Sequence, residues 1–555
     1  MEQRWVKHYQ EGVCETIDRA LIENHLATLL KEAKNKTPEA IAFQCMGKDI
    51  TFAELDRLSI DFANYLIGVA GLKKGDAVGL MMPNILQYPI ALFACLKCGL
   101  AVVNINPLYT QRELEIILVD SGAKAIIVVE NVAHQLAKVI QKTKLERVVI
   151  ATVGGMFGGL KGLVVDFLLR HIKKMVPPFK ITGAVCFQDT LIQGRAKPTK
   201  FASPAPDDIA FLQYTGGTTG LPKAAMLTHR SILANVEQCR AWAVPAFSVL
   251  GDKQIVGIMA LPLYHVFSLV VNCFVGMRMG VKQILIPNPR DMNGFVKVLR
   301  KSRLNFMTGV TTLFDRLMDH PNFVDIDFSG LKVTLGAGMA VPAATGEKWA
   351  ALTGCQLVQA YGMTEASPTV SANPLHITKF NKSVGLPLPS TEIDIRDTNA
   401  NVLPPNEVGE VWVKGPQVMK GYWQQPAETE RVLTADGWLK TGDLGFMDEE
   451  GYLTLVDRKK DMILVSGFNV YPAEIEGVLT SHEGIIESAV IGIEDNQSGQ
   501  RPKAFVVRRN KNLTEEEVMA FCRENLTSYK MPKIIEFRDD LPKSNVGKIL
   551  KKDLR

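Results

Sequence analysis

The sequence predicts an α/β fold, with a large N-terminal layered α/β domain carrying a small β subdomain and a smaller α+β domain behind it. Three observations predict it. The chain has 555 residues, more than one hydrophobic core usually serves, so at least two domains are expected. Short β-branched runs alternate with helical patterns through its first two thirds, as in a parallel sheet covered on both faces. From Val384 the texture changes to short strands and turns, with Pro404-Pro405 between them.

Taken in order, Thr51-Phe-Ala-Glu54 reads as a capping box that opens an amphipathic helix through Leu66. Gly75-Asp76 leads into a strand, Ala77 to Met82, and a helix follows toward Gly99. Ala101 to Asn104, Ala125 to Val129 and Val148 to Val153 continue the alternation, which recurs at Ile255 to Leu261 and Lys282 to Ile286. The β subdomain covers about 384–456, with strands at Glu392 to Arg396, Gly409 to Lys414 and Gly451 to Val456. The charged, apolar-free stretch 457–460 reads as a linker between an N-terminal domain, 1–456, and a C-terminal domain, 461–555.

Composition narrows the function classes. The chain is 47% hydrophobic and 22% charged, and its 63 basic against 58 acidic residues leave a net charge of +5. That balance gives no reason to invoke nucleic acid. Nine cysteines without framework spacing point to a reducing compartment. Cys95 and Cys98 form a CxxC inside an apolar run with no second pair, so they are expected to be buried helical cysteines, not zinc ligands. The first 25 residues hold no apolar core of signal-peptide length, and no apolar run approaches the ~20 residues of a spanning helix. A cytoplasmic protein is expected.

The chemistry concentrates in Tyr214-Thr-Gly-Gly-Thr-Thr-Gly-Leu-Pro-Lys223. Gly216, Gly217 and Gly220 let main-chain N–H groups approach an anion, Thr215, Thr218 and Thr219 add hydroxyls, and Lys223 adds a cation. This is the make-up of a nucleotide phosphate cradle. It is not a Walker loop, because Leu221-Pro222 intervene and Ala224 follows the lysine, leaving no hydroxyl placed for magnesium.

Four further blocks follow in order: Tyr361-Gly-Met-Thr-Glu365, Thr441-Gly-Asp443, Asp457-Arg-Lys-Lys-Asp461 and Leu541-Pro-Lys-Ser-Asn-Val-Gly-Lys548. With them the chain resembles the adenylate-forming acyl-CoA synthetases, the superfamily of firefly luciferase and peptide-synthetase adenylation domains. The stretch from Asp436 to Pro472 looks like the signature of bacterial long-chain fatty acid CoA ligases. The resemblance implies ATP-dependent activation of a fatty acid through acyl-AMP to acyl-CoA, with Mg2+ as cofactor and ATP and coenzyme A as substrates.

The resemblance also implies residue roles. The loop from Thr215 to Lys223 would hold the β- and γ-phosphates. Glu365 would bind magnesium together with Thr215, Thr364 would contact the α-phosphate, and Tyr361, beside Gly362, would pack on adenine. Asp443 and Arg458 would reach the ribose. Lys460 would be the hinge about which the small, mobile C-terminal domain pivots between half-reactions. Lys548 would bridge the substrate carboxylate and the α-phosphate, offsetting the repulsion of two anions. Gly467 and Phe468 would line the pantetheine channel in the second conformation, and His265 would stand beside the acyl carboxylate.

The acyl pocket is weakly marked. Gly336 to Ala340 is a plausible wall, whereas Trp242 carries no assignment. Between Val164 and Val176, part of a 160–176 segment, Val164, Val165, Leu168, Ile172 and Met175 fall on one helical face opposite Asp166, Arg170, Lys173 and Lys174. Such a helix covers a core or rests on an anionic bilayer, so peripheral contact with the cytoplasmic face of a membrane is one expectation. A homodimer is another. Two alternatives stay open: a CoA ligase for medium-chain or aryl acids, and a non-catalytic relative that binds fatty acid or nucleotide.

Overall fold

The computed structural model describes residues 4–215, 222–466, 468–495, 498–544 and 547–555. These form four sheets. In the first, Val185–Cys186, Arg147–Ala151, Ala125–Val129, Ala77–Met81, Ala101–Asn104 and Ile209–Thr215 run parallel, and Lys223–Thr228 closes the edge antiparallel to Ile209–Thr215. In the second, a parallel centre (Leu357–Gly362, Val333–Gly336, Phe306–Gly309, Val256–Met259, Lys282–Leu285, Ile41–Cys45) is flanked by antiparallel edges. The buried faces explain the sequence texture: Ala77–Met81 and Ala125–Val129 are buried at every position, as strands covered by helices on both sides must be.

The helix beginning at Phe52 runs to Asn64 and continues as a π-helical turn, Tyr65–Val69. Thr51 caps it by accepting from the Glu54 N–H at 3.1 Å. Cys95 lies in the helix Gln87–Lys97 and Cys98 caps its end, both thiols buried and unpaired.

The third sheet is antiparallel, in the order Glu392–Arg396, Gly409–Lys414, Leu439–Met447, Leu453–Arg458. Its last strand extends through Asp457 and Arg458, so half of the expected linker is strand and the chain turns only at Lys459 and Lys460. The fourth sheet joins Phe468–Val470, Ile463–Val465, Gly499–Arg508, Ile485–Asp495 and Ile534–Arg538. It packs on the helices Pro472–Ser481 and Glu515–Asn525 around a separate core that includes Ile463, Ile475, Val490, Val506 and Val518.

The segment expected to be one helix from Val164 to Val176 differs. The α-helix is Gly159–Phe167, a π-helical turn covers Leu168–Ile172, and Lys173 to Val176 lie beyond it. Its apolar side faces solvent: Leu160, Leu163 and Ile172 are 77%, 70% and 64% exposed. The polar side faces the protein. Asp166 accepts from Thr152 Oγ1 and the Gly154 N–H, both at 2.7 Å, and Arg170 pairs with Glu130 at 2.7 Å.

Candidate active site

The parallel strands Ile209–Thr215 and Leu357–Gly362 end at residues singled out by the sequence, and ligand sites in open α/β sheets usually lie at such carboxyl ends. Thr215 ends one such strand and pairs in register with Lys223 on the antiparallel neighbour. Gly216, Gly217, Thr218, Thr219 and Gly220, together with Leu221, lie outside the described residues. Thr215 Oγ1 donates to the Lys223 carbonyl at 3.4 Å. The Lys223 ammonium pairs with Glu428 and stands 5.4 Å from the centre of the Tyr422 ring.

Tyr361 and Gly362 end the strand Leu357–Gly362, and a 3-10 turn, Thr364–Ala366, follows. Only glycine fits at 362, since a Cβ there would lie 2.1 Å from the Pro368 carbonyl oxygen. The turn buries Glu365, whose Oε1 accepts from the Tyr422 hydroxyl at 2.8 Å. Burial raises its carboxyl above the ordinary range, and the Tyr422 hydrogen bond partly counters this. Tyr422 thus bridges Lys223 and Glu365, and no local pattern in the sequence marks it.

Asp443 stands opposite Arg458 in register on adjacent strands. One of its oxygens accepts from the Tyr361 hydroxyl at 2.6 Å and the other meets Arg458 Nε at 2.9 Å. The Asp443 N–H donates to Thr441 Oγ1 at 3.1 Å, which fixes the turn.

Lys548 comes from the far end of the chain on a tight hairpin in which the Ser544 N–H donates to the Lys548 carbonyl at 2.6 Å. Gly547, at φ +83°, lies against the N-terminal domain, where a Cβ would come within 2.8 Å of Thr312 Oγ1. The Lys548 side chain reaches solvent, yet protein atoms crowd it. That crowding lowers its ammonium to about 8, the Arg458 charge adding to the shift and Asp443 opposing it. Among the described residues it forms no ion pair. His265 feels Lys548 as well: burial first, then that charge, lower its imidazole to about 4, so it is neutral at physiological pH.

Tyr361, Asp443, Arg458, Glu365, Lys548 and His265 are therefore linked by contact or charge, and Tyr422 joins Lys223 to them. Thr364 is half-buried on the same turn as Glu365. Lys460 is exposed at the turn after Arg458. Gly467 lies outside the described residues, and Phe468, 55% exposed, stacks on Tyr529 with ring centres 4.8 Å apart.

An apolar slot lies between the helix His229–Phe247 and the second sheet. Its cavity volume is about 70 Å³. Trp242, Phe247, Val271, Phe306, Leu335 and Leu375 line it. Trp242, unassigned from sequence, is fixed by its indole N–H donating to the Asn373 carbonyl at 3.0 Å. The expected wall, Gly336 to Ala340, is not part of the lining; the slot uses Val333 and Leu335 on the strand before it.

The described residues contain no cluster of three or more His, Cys, Asp or Glu side chains able to hold a metal. Glu365 and Thr215 each carry an oxygen of the kind that magnesium accepts alongside phosphate and water.

The AMP-binding enzyme family matches residues 30–423, and the AMP-binding enzyme C-terminal domain matches 474–548. A long-chain-fatty-acid–CoA ligase of Escherichia coli O6:H1 is 48% identical over 555 residues, covering 100% of this chain and 98% of the relative. A long-chain-fatty-acid–CoA ligase of Bacillus subtilis is 36% identical, with the same coverage. ATP-bound MatB from Rhodopseudomonas palustris superimposes with a TM-score of 0.82 at 28% identity, covering 95% of this chain and 98% of that one. The chain belongs to the AMP-binding enzyme family.

Proposed function

We propose that the protein is a long-chain fatty acid CoA ligase that works through an acyl-adenylate. In the first half-reaction a fatty carboxylate oxygen attacks the α-phosphorus of ATP, the bond to the β-phosphate oxygen breaks, and pyrophosphate leaves. In the second, the coenzyme A sulfur attacks the acyl carbon, the carbon–oxygen bond to the adenylate breaks, and AMP leaves. The observation that carries this reading is Lys548, without an ion pair among the described residues, following Gly547, which packs against Thr312 of the N-terminal domain, with its charge felt by neutral His265 and by Arg458.

Two anions must approach each other in the first step, and a fixed cation between them lowers that cost without reorganising. Lys548 takes that role, and Lys223 balances charge on the departing pyrophosphate. Asp443, oriented by Tyr361 and Arg458, exchanges one of these partners for ribose hydroxyls. Glu365, with Thr215, would hold magnesium, which supplies charge neutralisation on the triphosphate; Thr364 stands by for the α-phosphate. For the second step the C-terminal domain turns about Lys460 and brings Gly467 and Phe468 to the cleft. A neutral His265 beside the carboxylate adds no repulsive charge to Lys548.

The slot supports a fatty acyl chain as substrate, because its lining is mostly hydrocarbon and aromatic. The test is direct. Purified protein given oleate, ATP and magnesium without coenzyme A should accumulate oleoyl-AMP and release pyrophosphate, and benzoate should not replace oleate. Turnover of benzoate in preference to oleate would favour the aryl reading, and no adenylate from any acid would end it.

The outward apolar side of Gly159–Ile172 supports peripheral membrane contact. A core-covering helix would bury Leu160, Leu163 and Phe167, whereas here the polar residues anchor the helix and the apolar ones face away. Exposed Met46, beside Lys161, extends the surface, and Lys173 and Lys174 flank it with positive charge suited to an anionic bilayer. Phe167→Ser with Leu163→Ser should abolish co-sedimentation with phosphatidylglycerol vesicles, and Lys173→Glu with Lys174→Glu should weaken it. Unchanged sedimentation of both variants rules the contact out.

A further inference from the structure

We propose that Glu428 is a built-in counter-anion for Lys223, displaced when the triphosphate binds and returning as pyrophosphate leaves. The inference rests on the reading of Lys223 as a phosphate ligand.

The two side chains come from distant parts of the chain. Lys223 opens the strand Lys223–Thr228, and Glu428 lies in the first turn of the helix Pro426–Val432. The strand and the segment before that helix are held together by backbone hydrogen bonds: Met226 N–H to the Gly421 carbonyl at 2.8 Å, and Trp423 N–H to the Ala224 carbonyl at 2.8 Å. This lays Tyr422 beneath Lys223 and ties the Tyr422 hydroxyl to Glu365, so the ammonium sits over a fixed floor. Glu428 is its ion-pair partner from above, one carboxylate oxygen on Lys223 and the other accepting from Arg431 at 2.9 Å.

The pairing is built for exchange. Side chains of Lys223 and Glu428 are 22% and 29% exposed, so an incoming anion can reach the ammonium. Arg431, 74% exposed, keeps Glu428 paired after Lys223 turns away, and no buried charge is orphaned. Phosphate oxygens and a carboxylate cannot both hold one ammonium without repelling each other. Lys223, and Arg431 after it, hold the Glu428 carboxyl below its ordinary range, so the competitor is ionised at neutral pH. The consequence is a tempered affinity for ATP and for pyrophosphate, and a product that leaves faster than a bare lysine would allow.

Glu428→Gln keeps the shape and removes the charge; Glu428→Ala removes both. Each should lower KM for ATP and the inhibition constant of pyrophosphate by about threefold to fivefold, the scale of an exposed ion pair. Turnover should stay level or fall as pyrophosphate release slows. Lys223→Ala should raise both constants, and adding Glu428→Gln to it should change nothing further. If Lys223→Ala raises both constants while the Glu428 variants leave them unchanged or raise them, the counter-anion role is wrong and the phosphate reading stands. If Lys223→Ala changes neither constant, both fall together.

Discussion

The charged cleft and the apolar slot meet at the same strands yet are prepared for their ligands in opposite ways. In the cleft, Asp443 is held by Tyr361 and Arg458, Glu365 by Tyr422, and Lys223 by Glu428. A ligand there exchanges one set of polar partners for another, and the net gain is small except where a charge has no ion-pair partner among the described residues, as at Lys548. The slot walls are mostly apolar and carry few polar groups to exchange. Asn272 Nδ2 donates to Thr308 Oγ1 at 2.9 Å, Gln283 Oε1 finds no partner among the described residues, and most of the remaining lining is hydrocarbon or aromatic. A ligand there gains in proportion to the surface it removes from water. The cleft therefore sets chemistry and the slot sets affinity.

The largest effect that sharpens this contrast comes from blocking the slot. Val271→Trp should lower kcat/KM for oleate by about tenfold or more, because Val271 lines the slot and overpacking closes it. Across unbranched acids the unmodified protein should gain about fourfold in kcat/KM per methylene until the slot is full, from about 0.8 kcal/mol per buried CH₂. A flat series would show that the slot does not take the chain.

A smaller effect reads the cleft alone. Lys548 must be protonated to act, and its folded-state pKa of about 8 lies below the ordinary lysine value. Adenylation kcat/KM should thus be level below that pH and decline above it, approaching tenfold per unit. Activity remaining in Lys548→Arg should lack the decline, since guanidinium stays charged. The acid dependence of the slot variant should match that of the unmodified protein. A decline that survives Lys548→Arg belongs to another group.

Short blocks in the sequence singled out residues that the fold brings into contact, as where the Asp443 carboxylate of the Thr-Gly-Asp turn meets Tyr361 and Arg458. Tyr422, Glu428 and Thr312 were not singled out, because pairing between remote segments brings them in; Glu428 lies 205 positions from Lys223. Trp242 was not assigned because a tryptophan lining a slot reads like any core tryptophan. The layered α/β order followed from β-branched runs, but the strand carrying Asp457 and Arg458 outlasted its apolar pattern because Arg458 is paired across to Asp443. The helix Gly159–Phe167 teaches a further limit. Periodicity reveals that a helix has an apolar face and is silent on whether that face looks inward, which here is decided by the bonds of Asp166 and Arg170.

The central claim is that Lys548 serves the first half-reaction and not the second, and single-turnover rates of the two steps in Lys548→Ala test it most directly. Oleoyl-AMP formation from oleate and ATP should fall by about a hundredfold to a thousandfold, the usual loss when one preorganised charge-stabilising group is removed. Conversion of supplied oleoyl-AMP to oleoyl-CoA should stay within about threefold of the unmodified rate, because that step leaves the lysine with little charge to offset. Equal losses in both steps, or an unchanged first step, would contradict the account.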